Sequence, residues 1–477
     1  MISNSKLSSP LFRYAGFVLS VSTARVAGVL MTSVTFPFLV RRLGVETYGI
    51  WSYVVALCAF LDVMANPGLT AHTAQQVAAR RHAAAELIPD ILVLRVFGSL
   101  AAIAILLLVT HFEVRADIRW LLLWYGVGSL CLGLTGSDFL LTSLELFHAR
   151  SLLSFIQQAL YAAGVLILVR APRDVIWVPA SILGSGLLTN LAGWLVLWRN
   201  GFRPRLVIAP QRWWAILVPS FHYAASTAMG TICRRSGHIL VRWFLGEHAL
   251  GLYAAAVRFV DILRHFVSPV LSVLTPRMAL SAQSQSGMKP VARAAVSALA
   301  VTSIPLMLGT LATAHLVVPW AMGASFAEAV RPVRWTAGYL LVAPVASLLS
   351  GTILYALGRH RAYLASATAG AVAAVFLFLM LVPALGLAGA CMAFVLAELA
   401  VGVSAYLLVP RDLRDLWKNP IIAVAGVSTF FMAAAVRLAN SYSSRPLLVV
   451  AAGAAVYIIA SGLMGRKSLL QQFGGAS

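Results

Sequence analysis

The sequence predicts an all-α polytopic membrane protein of about fourteen transmembrane helices, with two six-helix lobes in a parallel pseudo-repeat plus two C-terminal helices. Three observations predict this fold class. The chain is 60% hydrophobic and 11% charged, which is unlike a soluble domain. Apolar stretches of about twenty residues, the length that crosses a bilayer, recur along it. A motif of the first half also returns in the second half, as expected of a chain built from two parallel repeats.

Fourteen apolar segments are candidate spans, and most of the connections between them are short. They cover residues 12–36, 48–70, 88–110, 119–141, 152–170, 176–198, 214–240, 251–274, 294–319, 334–357, 362–383, 386–409, 420–438 and 446–464. Pro67 and Pro269 are predicted to bend spans two and eight, because proline removes a helix hydrogen bond.

The repeated motif begins with Gly44 and Gly49, which lie between the first two spans. Gly246 and Gly251 stand 202 residues later, each preceded and followed by similar residues. Because both glycine pairs share one offset, a duplicated half is favoured over a chance match.

The repeat predicts three domains. The N-lobe covers 1–200, the C-lobe covers 201–410, and two further helices with a cytoplasmic tail cover 411–477. The basic connection between the sixth and seventh spans falls where a linker between the lobes is expected.

The net charge of +21 does not indicate nucleic acid binding, since no polar domain is present to form a groove. Of the thirty-six Lys and Arg residues, nineteen lie on the side of the N-terminus, eleven on the other side and six within spans. The positive-inside rule therefore places both termini in the cytoplasm.

Motifs for covalent chemistry are missing from the sequence. The four cysteines lie singly in apolar segments, so they predict neither a zinc site nor a disulfide framework. The sequence has no phosphate-binding loop and no nucleophile elbow. We therefore expect no catalytic residue, no metal and no cofactor, and hence no enzyme.

The arginines inside spans are the candidate binding residues. Charges in a membrane are costly and mark functional sites. We expect Arg25, Arg234, Arg258 and Arg264 to line a cavity for a diphosphate head group, because a guanidinium matches phosphate oxygens. Alternatively, Arg258 and Asp261 form a neutralising structural pair, and Arg234 lies nearer the membrane interface.

Three acids also fall within spans: Asp62, Asp138 and Glu398. Such carboxylates relay protons, bind sodium or pair with an arginine. Asp62 is the candidate for ion coupling or charge balance, and Asp261 for charge balance.

Three aromatics, Tyr223, Trp243 and Tyr253, are candidates for stacking on sugar rings. For Trp243, anchoring at the membrane interface is the alternative.

Several stretches together resemble one family. They are residues 12–57, 143–156, 245–261, 350–367 and 385–398. Their order and spacing are similar to those of the polysaccharide transporters, or O-antigen (Wzx-type) flippases, of the multidrug/oligosaccharidyl-lipid/polysaccharide (MOP) exporter superfamily.

The resemblance implies alternating access to a cationic cavity lined by helices one, two, seven and eight. The implied cargo is an oligosaccharide on undecaprenyl pyrophosphate, moved across the bacterial inner membrane for O-antigen, capsule or exopolysaccharide synthesis. The implied partners are membrane lipid, the polymerase and chain-length machinery, and H⁺ or Na⁺. Two rival functions are a multidrug exporter of the same superfamily and a membrane glycosyltransferase or polymerase. The arginines disfavour the first, because they repel cations, and the short outer loops disfavour the second.

Overall fold

The computed structural model is helical throughout, with no strand in the residues that it describes. These are residues 10–66, 68–69, 84–134, 136–144, 146–201, 210–281, 287–417, 419–442 and 445–473. Over 10–27, 84–87 and 465–473, and at a few single positions, the course of the backbone alone is described.

The α-helices are numbered here in chain order. They are α1 Pro10–Ala65, α2 Ala84–Phe112, α3 Ala116–Leu134, α4 Ser137–Ser143, α5 Phe147–Leu168, α6 Trp177–Arg199, α7 Pro210–Arg264, α8 Ser268–Ser281, α9 Lys289–Met322, α10 Val330–Thr336, α11 Tyr339–Ser347, α12 His360–Leu408, α13 Pro420–Tyr442 and α14 Pro446–Phe473. Short 3₁₀ segments and one π-helical turn, Leu348–Leu354, connect some of them.

The helices have the length and composition of a multi-pass membrane protein. In the described part of the chain, nine helical segments are long and apolar enough to cross a membrane, or ten if one bent pair counts as a single span. The charged helix α7 is not among the nine. The all-α membrane fold is thus confirmed, whereas the number of fourteen spans stays a prediction.

Three of the long helices are each broken by a glycine. α1 has 56 residues and would extend about 84 Å if straight, more than twice the thickness of a bilayer core. It breaks at Gly44, with φ 72° and ψ 176°. α7 breaks at Gly246, with φ 81° and ψ −173°, and α12 breaks at Gly386. A positive φ is accessible to glycine at no steric cost. Because the first two breaks have almost the same dihedrals, the repeated motif folds alike in both halves.

A bend was predicted at Pro269, and the structure has the start of a new helix there. α7 ends at Arg264, a turn follows, and α8 begins at Ser268. Proline is tolerated in a first turn because its missing N–H has no intrahelical partner there. Pro67 lies outside the described residues.

The chain divides into two compact units. Unit 1 contains Met1–Arg42 and Cys58–Ala225, and unit 2 contains Leu43–Leu57 and Ser226–Ser477. The apolar core of unit 1 is centred on Leu94, Phe139 and their neighbours on α2, α4 and α6. The core of unit 2 gathers residues of α9, α12 and the π-helical turn. The predicted domain limits at 200 and 410 stay predictions.

Within unit 2, the two repeated motifs pack against each other through glycine. A Cβ on Gly49 would overlap the carbonyl oxygen of Glu247, and a Cβ on Gly251 would overlap that of Val45. Glu247 stands 202 residues after Val45, so the contact is reciprocal. We call these four residues the glycine junction. Its backbones approach so closely that no side chain fits between them.

Two arginines bind backbone carbonyls at the C-terminal end of α12 and so have a structural role. Arg359 donates to the carbonyl oxygen of Leu408 over 3.3 Å, and Arg414 donates to that of Val409 over 3.2 Å. The last carbonyls of a helix have no intrahelical partner. Part of the positive bias in the sequence therefore serves to cap this helix.

Candidate functional site

A row of three charged residues lies on the part of α7 that follows Gly246. Residues three apart on a helix are surface neighbours. The Oδ2 atom of Asp261 is 3.7 Å from Nη1 of Arg258, and its Oδ1 atom is 3.2 Å from Nε of Arg264. Arg258 is 44% exposed, whereas Asp261 is 27% exposed. Asp261 thus bridges two guanidinium groups, of which Arg258 is the more accessible.

A second carboxylate, Glu398 on α12, extends this row. Its Oε2 atom is 3.9 Å from Sγ of Cys233 on α7. The charges of Arg234 and Arg264 are close enough to act on it. Arg234 is itself exposed.

These five residues form what we call the charged cluster. Its members are Arg234, Arg258, Asp261, Arg264 and Glu398. The cluster contains three guanidinium groups and two carboxyl groups, so its positive groups outnumber its acidic ones. Because the acidic groups do not balance all of the arginines, the cluster is suited to bind an anionic ligand.

Aromatic side chains support one end of the cluster. The guanidinium carbon of Arg264 lies 5.7 Å from the ring centre of Tyr339, a distance at which a cation and a ring attract. The ring centres of Tyr339 and Phe394 are 4.6 Å apart. Because Tyr339 is almost fully buried, this packing restricts the position of Arg264.

The structure contradicts one of the aromatic expectations. Tyr253 is fully buried and packs edge-on against Phe378, so it has no face to offer a sugar. Trp243 is 76% exposed, and Tyr223 is partly exposed in unit 1.

The predicted site residues divide between the two units. Arg234, Arg258, Asp261 and Arg264 come together in unit 2. The predicted Arg258–Asp261 pair forms, and Asp261 also serves Arg264. Asp62 is an exposed residue of unit 1. The side chain of Arg25 lies outside the described residues, so its role stays a prediction.

Asp138, one of the three acids predicted within spans, lies in the candidate span Ala116–Ser143. Its side chain is 66% exposed. Its two carboxylate oxygens accept hydrogen bonds from Nε and Nη2 of Arg150, over 2.7 Å and 3.1 Å. A bidentate arginine pair of this kind satisfies the carboxylate. Asp138 is thus an exposed, ion-paired residue.

The sequence reasoning did not place Glu398 in the site. Glu398 is the only acid among the 49 residues of α12, and an isolated acid in an apolar helix is a signal in itself. Its partner Cys233 is 165 positions away in the chain, however, and no sequence spacing relates the two.

Metal ligands do not gather in the described part of the chain. No group of three or more His, Cys, Asp or Glu side chains there could hold an ion. That the protein uses no metal remains a prediction.

Comparison with known proteins gives the family. The family described as "Polysaccharide biosynthesis protein" matches residues 17–281, more than half of the chain. The chain belongs to the polysaccharide biosynthesis protein family. All six of the predicted site residues lie within the matched range.

Solved structures relate this member of the polysaccharide biosynthesis protein family to transporters. It is similar to "Lipid II flippase MurJ, inward closed conformation", with a TM-score of 0.76, 14% identity and coverage of 95% of this chain and 99% of that chain. It is also similar to a MOP superfamily transporter from Pyrococcus furiosus, with a TM-score of 0.56, 15% identity and coverage of 84% and 96%. An outward-facing multidrug resistance MATE transporter of the same superfamily has a TM-score of 0.57, 15% identity and the same coverage. At these identities the likeness shows the fold.

No curated protein matches the chain in sequence. The family and the fold together confirm the predicted resemblance to the MOP superfamily.

Proposed function

We propose that this protein is a flippase for undecaprenyl-pyrophosphate-linked oligosaccharide repeat units. It moves them across the bacterial inner membrane by alternating access, for O-antigen, capsule or exopolysaccharide synthesis. Both termini face the cytoplasm in this proposal. The observation that carries it is the cationic charged cluster in a member of the polysaccharide biosynthesis protein family.

The cluster suits a pyrophosphate for a geometric reason. A guanidinium presents five N–H donors in a planar fork that pairs with two phosphate oxygens at once. Arg258 has the exposed guanidinium of the bridged row, and Asp261 holds it beside Arg264. We infer that these two groups, one on each side of a single carboxylate, bind the two phosphates of a pyrophosphate.

The cluster also supports this substrate over that of a cation exporter. A cavity lined by more positive than negative groups lowers the local concentration of cations. Asp261 is paired with both Arg258 and Arg264, so it provides no site for a cationic drug. A glycosyltransferase or polymerase function would need its own catalytic acids. In the charged cluster, Asp261 is already paired with two arginines.

The test is mass spectrometry of polyprenyl-linked intermediates in a strain that lacks this gene. We expect a complete sugar repeat on undecaprenyl pyrophosphate to accumulate in the cytoplasmic leaflet. A repeat that accumulates in the outer leaflet would indicate a polymerase defect. Truncated sugars would indicate an enzyme, and an unchanged lipid pool with new drug sensitivity would indicate a multidrug exporter.

Asp62 gives a test of ion coupling. If its carboxylate binds the coupling ion, Asp62→Asn makes transport independent of the proton or sodium gradient, because the amide neither takes up a proton nor carries a charge. Transport by purified protein in liposomes, with each gradient imposed in turn, measures this.

The matched control is Asp138→Asn, which removes an exposed carboxylate of unit 1 that pairs with Arg150. We expect this variant to keep its gradient dependence. An Asp62→Asn variant that is slower but equally dependent on the gradient would show that Asp62 balances charge only.

A further inference from the structure

A second polar site lies in unit 2, beside the Gly246 break of α7. It is a cavity of about 600 Å³, which we call the Gly246 cavity. It is lined by Tyr53, Ile239, Arg242, Trp243, Gly246 and Glu247. None of these residues belongs to the charged cluster. The volume falls within the range of small-ligand sites.

The polar side chains of the cavity form a pair without net charge. Nη2 of Arg242 lies 3.6 Å from Oε1 of Glu247, and both side chains are 18% exposed. The guanidinium carbon of Arg242 is 4.1 Å from the ring centre of Tyr53, within cation–π range. One positive and one negative group leave no excess charge for a phosphate. This cavity therefore differs in chemistry from the cationic cluster.

The repeat shows that the fold does not require this pair. The residues 202 positions before Arg242 and Glu247 are Val40 and Val45, and both are buried apolar side chains. The glycine breaks that lie between the two residues of each pair, at Gly44 and Gly246, have nearly the same dihedrals. An apolar pair therefore satisfies the same turn, and the charged pair has been placed in one half alone. Partly buried charges are costly and are kept where they bind something.

Trp243 gives the cavity an aromatic face. It is 76% exposed, and its ring is stacked on Phe244 with an interplanar angle of 16° and centres 5.8 Å apart. A pyranose ring has an apolar C–H face and a rim of hydroxyl groups. An indole ring packs against the C–H face. The hydroxyl groups accept hydrogen bonds from a guanidinium, which only donates, and donate hydrogen bonds to a carboxylate, which only accepts.

We propose that the Gly246 cavity binds one neutral pyranose ring of the oligosaccharide cargo. Trp243 stacks on the C–H face, and Arg242 and Glu247 bind neighbouring hydroxyl groups. This inference rests on the proposed flippase function, and it adds a place for the sugar that is separate from the place of the pyrophosphate. The charge bias of the sequence puts the Gly246 turn on the outer side of the membrane, where the sugar arrives at the end of transport.

The test uses the full-length protein in lipid nanodiscs and saturation-transfer difference NMR. The probes are the methyl pyranosides of glucose, galactose, mannose and N-acetylglucosamine. We expect at least one of them to receive saturation from the protein. Trp243→Ala and Glu247→Gln should each weaken its binding by about tenfold, which is about 1.4 kcal/mol, because each removes a contact to the sugar.

Trp214→Ala is the matched control, because Trp214 is 75% exposed and lies outside the cavity. It should bind the same pyranoside as the unchanged protein does. If none of the four probes binds, the proposal is overturned. It is also overturned if Trp243→Ala binds normally but inserts poorly into the membrane, since Trp243 is then an interface anchor.

The two proposals fail separately. Sugar binding that depends on Trp243, together with an unchanged pool of lipid-linked sugars in the deletion strain, would retain the cavity and reject the flippase. Accumulated cargo in that strain without binding of any pyranoside would retain the flippase and reject the cavity.

Discussion

Arg258→Ala is expected to abolish transport of the lipid-linked cargo while the protein stays in the membrane at its normal level. The side chain of Arg258 is 44% exposed, and its carboxylate partner lies 3.7 Å away. Asp261 keeps Arg264 as a partner over 3.2 Å, so the substitution leaves no carboxylate without a cation. The substitution therefore weakens binding of the cargo and does not destabilise the fold. Accumulation of lipid-linked sugars in cells, beside the amount of protein in the membrane fraction, measures the effect.

Two further variants make this result interpretable. Arg437→Ala removes an exposed arginine from α13 and should transport normally, because it lies on a different helix from the row. Arg258→Lys keeps the charge without the planar fork and should be only partly active. Full activity of Arg258→Ala would show that Arg258 does not bind the cargo. An equal loss of transport in Arg437→Ala would show that the effect depends on the net charge of the protein and not on this position.

Gly251→Ala is expected to destabilise the protein by about 1–3 kcal/mol, the usual cost of overpacking. The added Cβ would overlap the carbonyl oxygen of Val45, and a backbone atom cannot rotate away as a side chain does. The segments of α1 and α7 that form the glycine junction must then separate. Thermal unfolding of the purified protein, followed by the fluorescence of a thiol probe on buried cysteines, reports the change.

Gly184→Ala supplies the comparison. Gly184 lies within α6 and would have open space around an added Cβ. Alanine is the better helix former by about 1 kcal/mol, so this variant should be as stable as the unchanged protein or more so. If Gly251→Ala behaved in the same way, the close approach at the junction would not contribute to stability.

The repeated turns could be read from the sequence because their cause is local. A glycine that recurs at a fixed offset, followed by similar residues, predicts the same backbone conformation at both positions. Gly44 and Gly246 indeed have nearly the same dihedrals. The row of Arg258, Asp261 and Arg264 could also be predicted from the sequence, since helical spacing alone puts these side chains side by side.

The remainder of the site depends on contacts between distant segments. Glu398 reaches the cluster through the packing of α12 on α7, which no periodicity encodes. The burial of Tyr253 results from Phe378 and Phe394, both more than 100 positions away. Composition classed Tyr253 with Trp243 as an aromatic suited to a sugar, and the tertiary fold separated them.

The glycine junction also sets an order of events at the ribosome. Gly49 emerges about 200 residues before Gly251, which at ordinary rates of synthesis is a delay on the order of 10 to 40 s. Throughout that interval the segment of α1 around Gly49 is without its partner backbone. Membrane helices associate closely at small residues such as glycine. The nascent chain can therefore pair incorrectly with other helices at Gly49 before Gly251 is made. Slow elongation would lengthen this exposure, so the yield of correctly assembled protein should depend on how quickly the second half is translated.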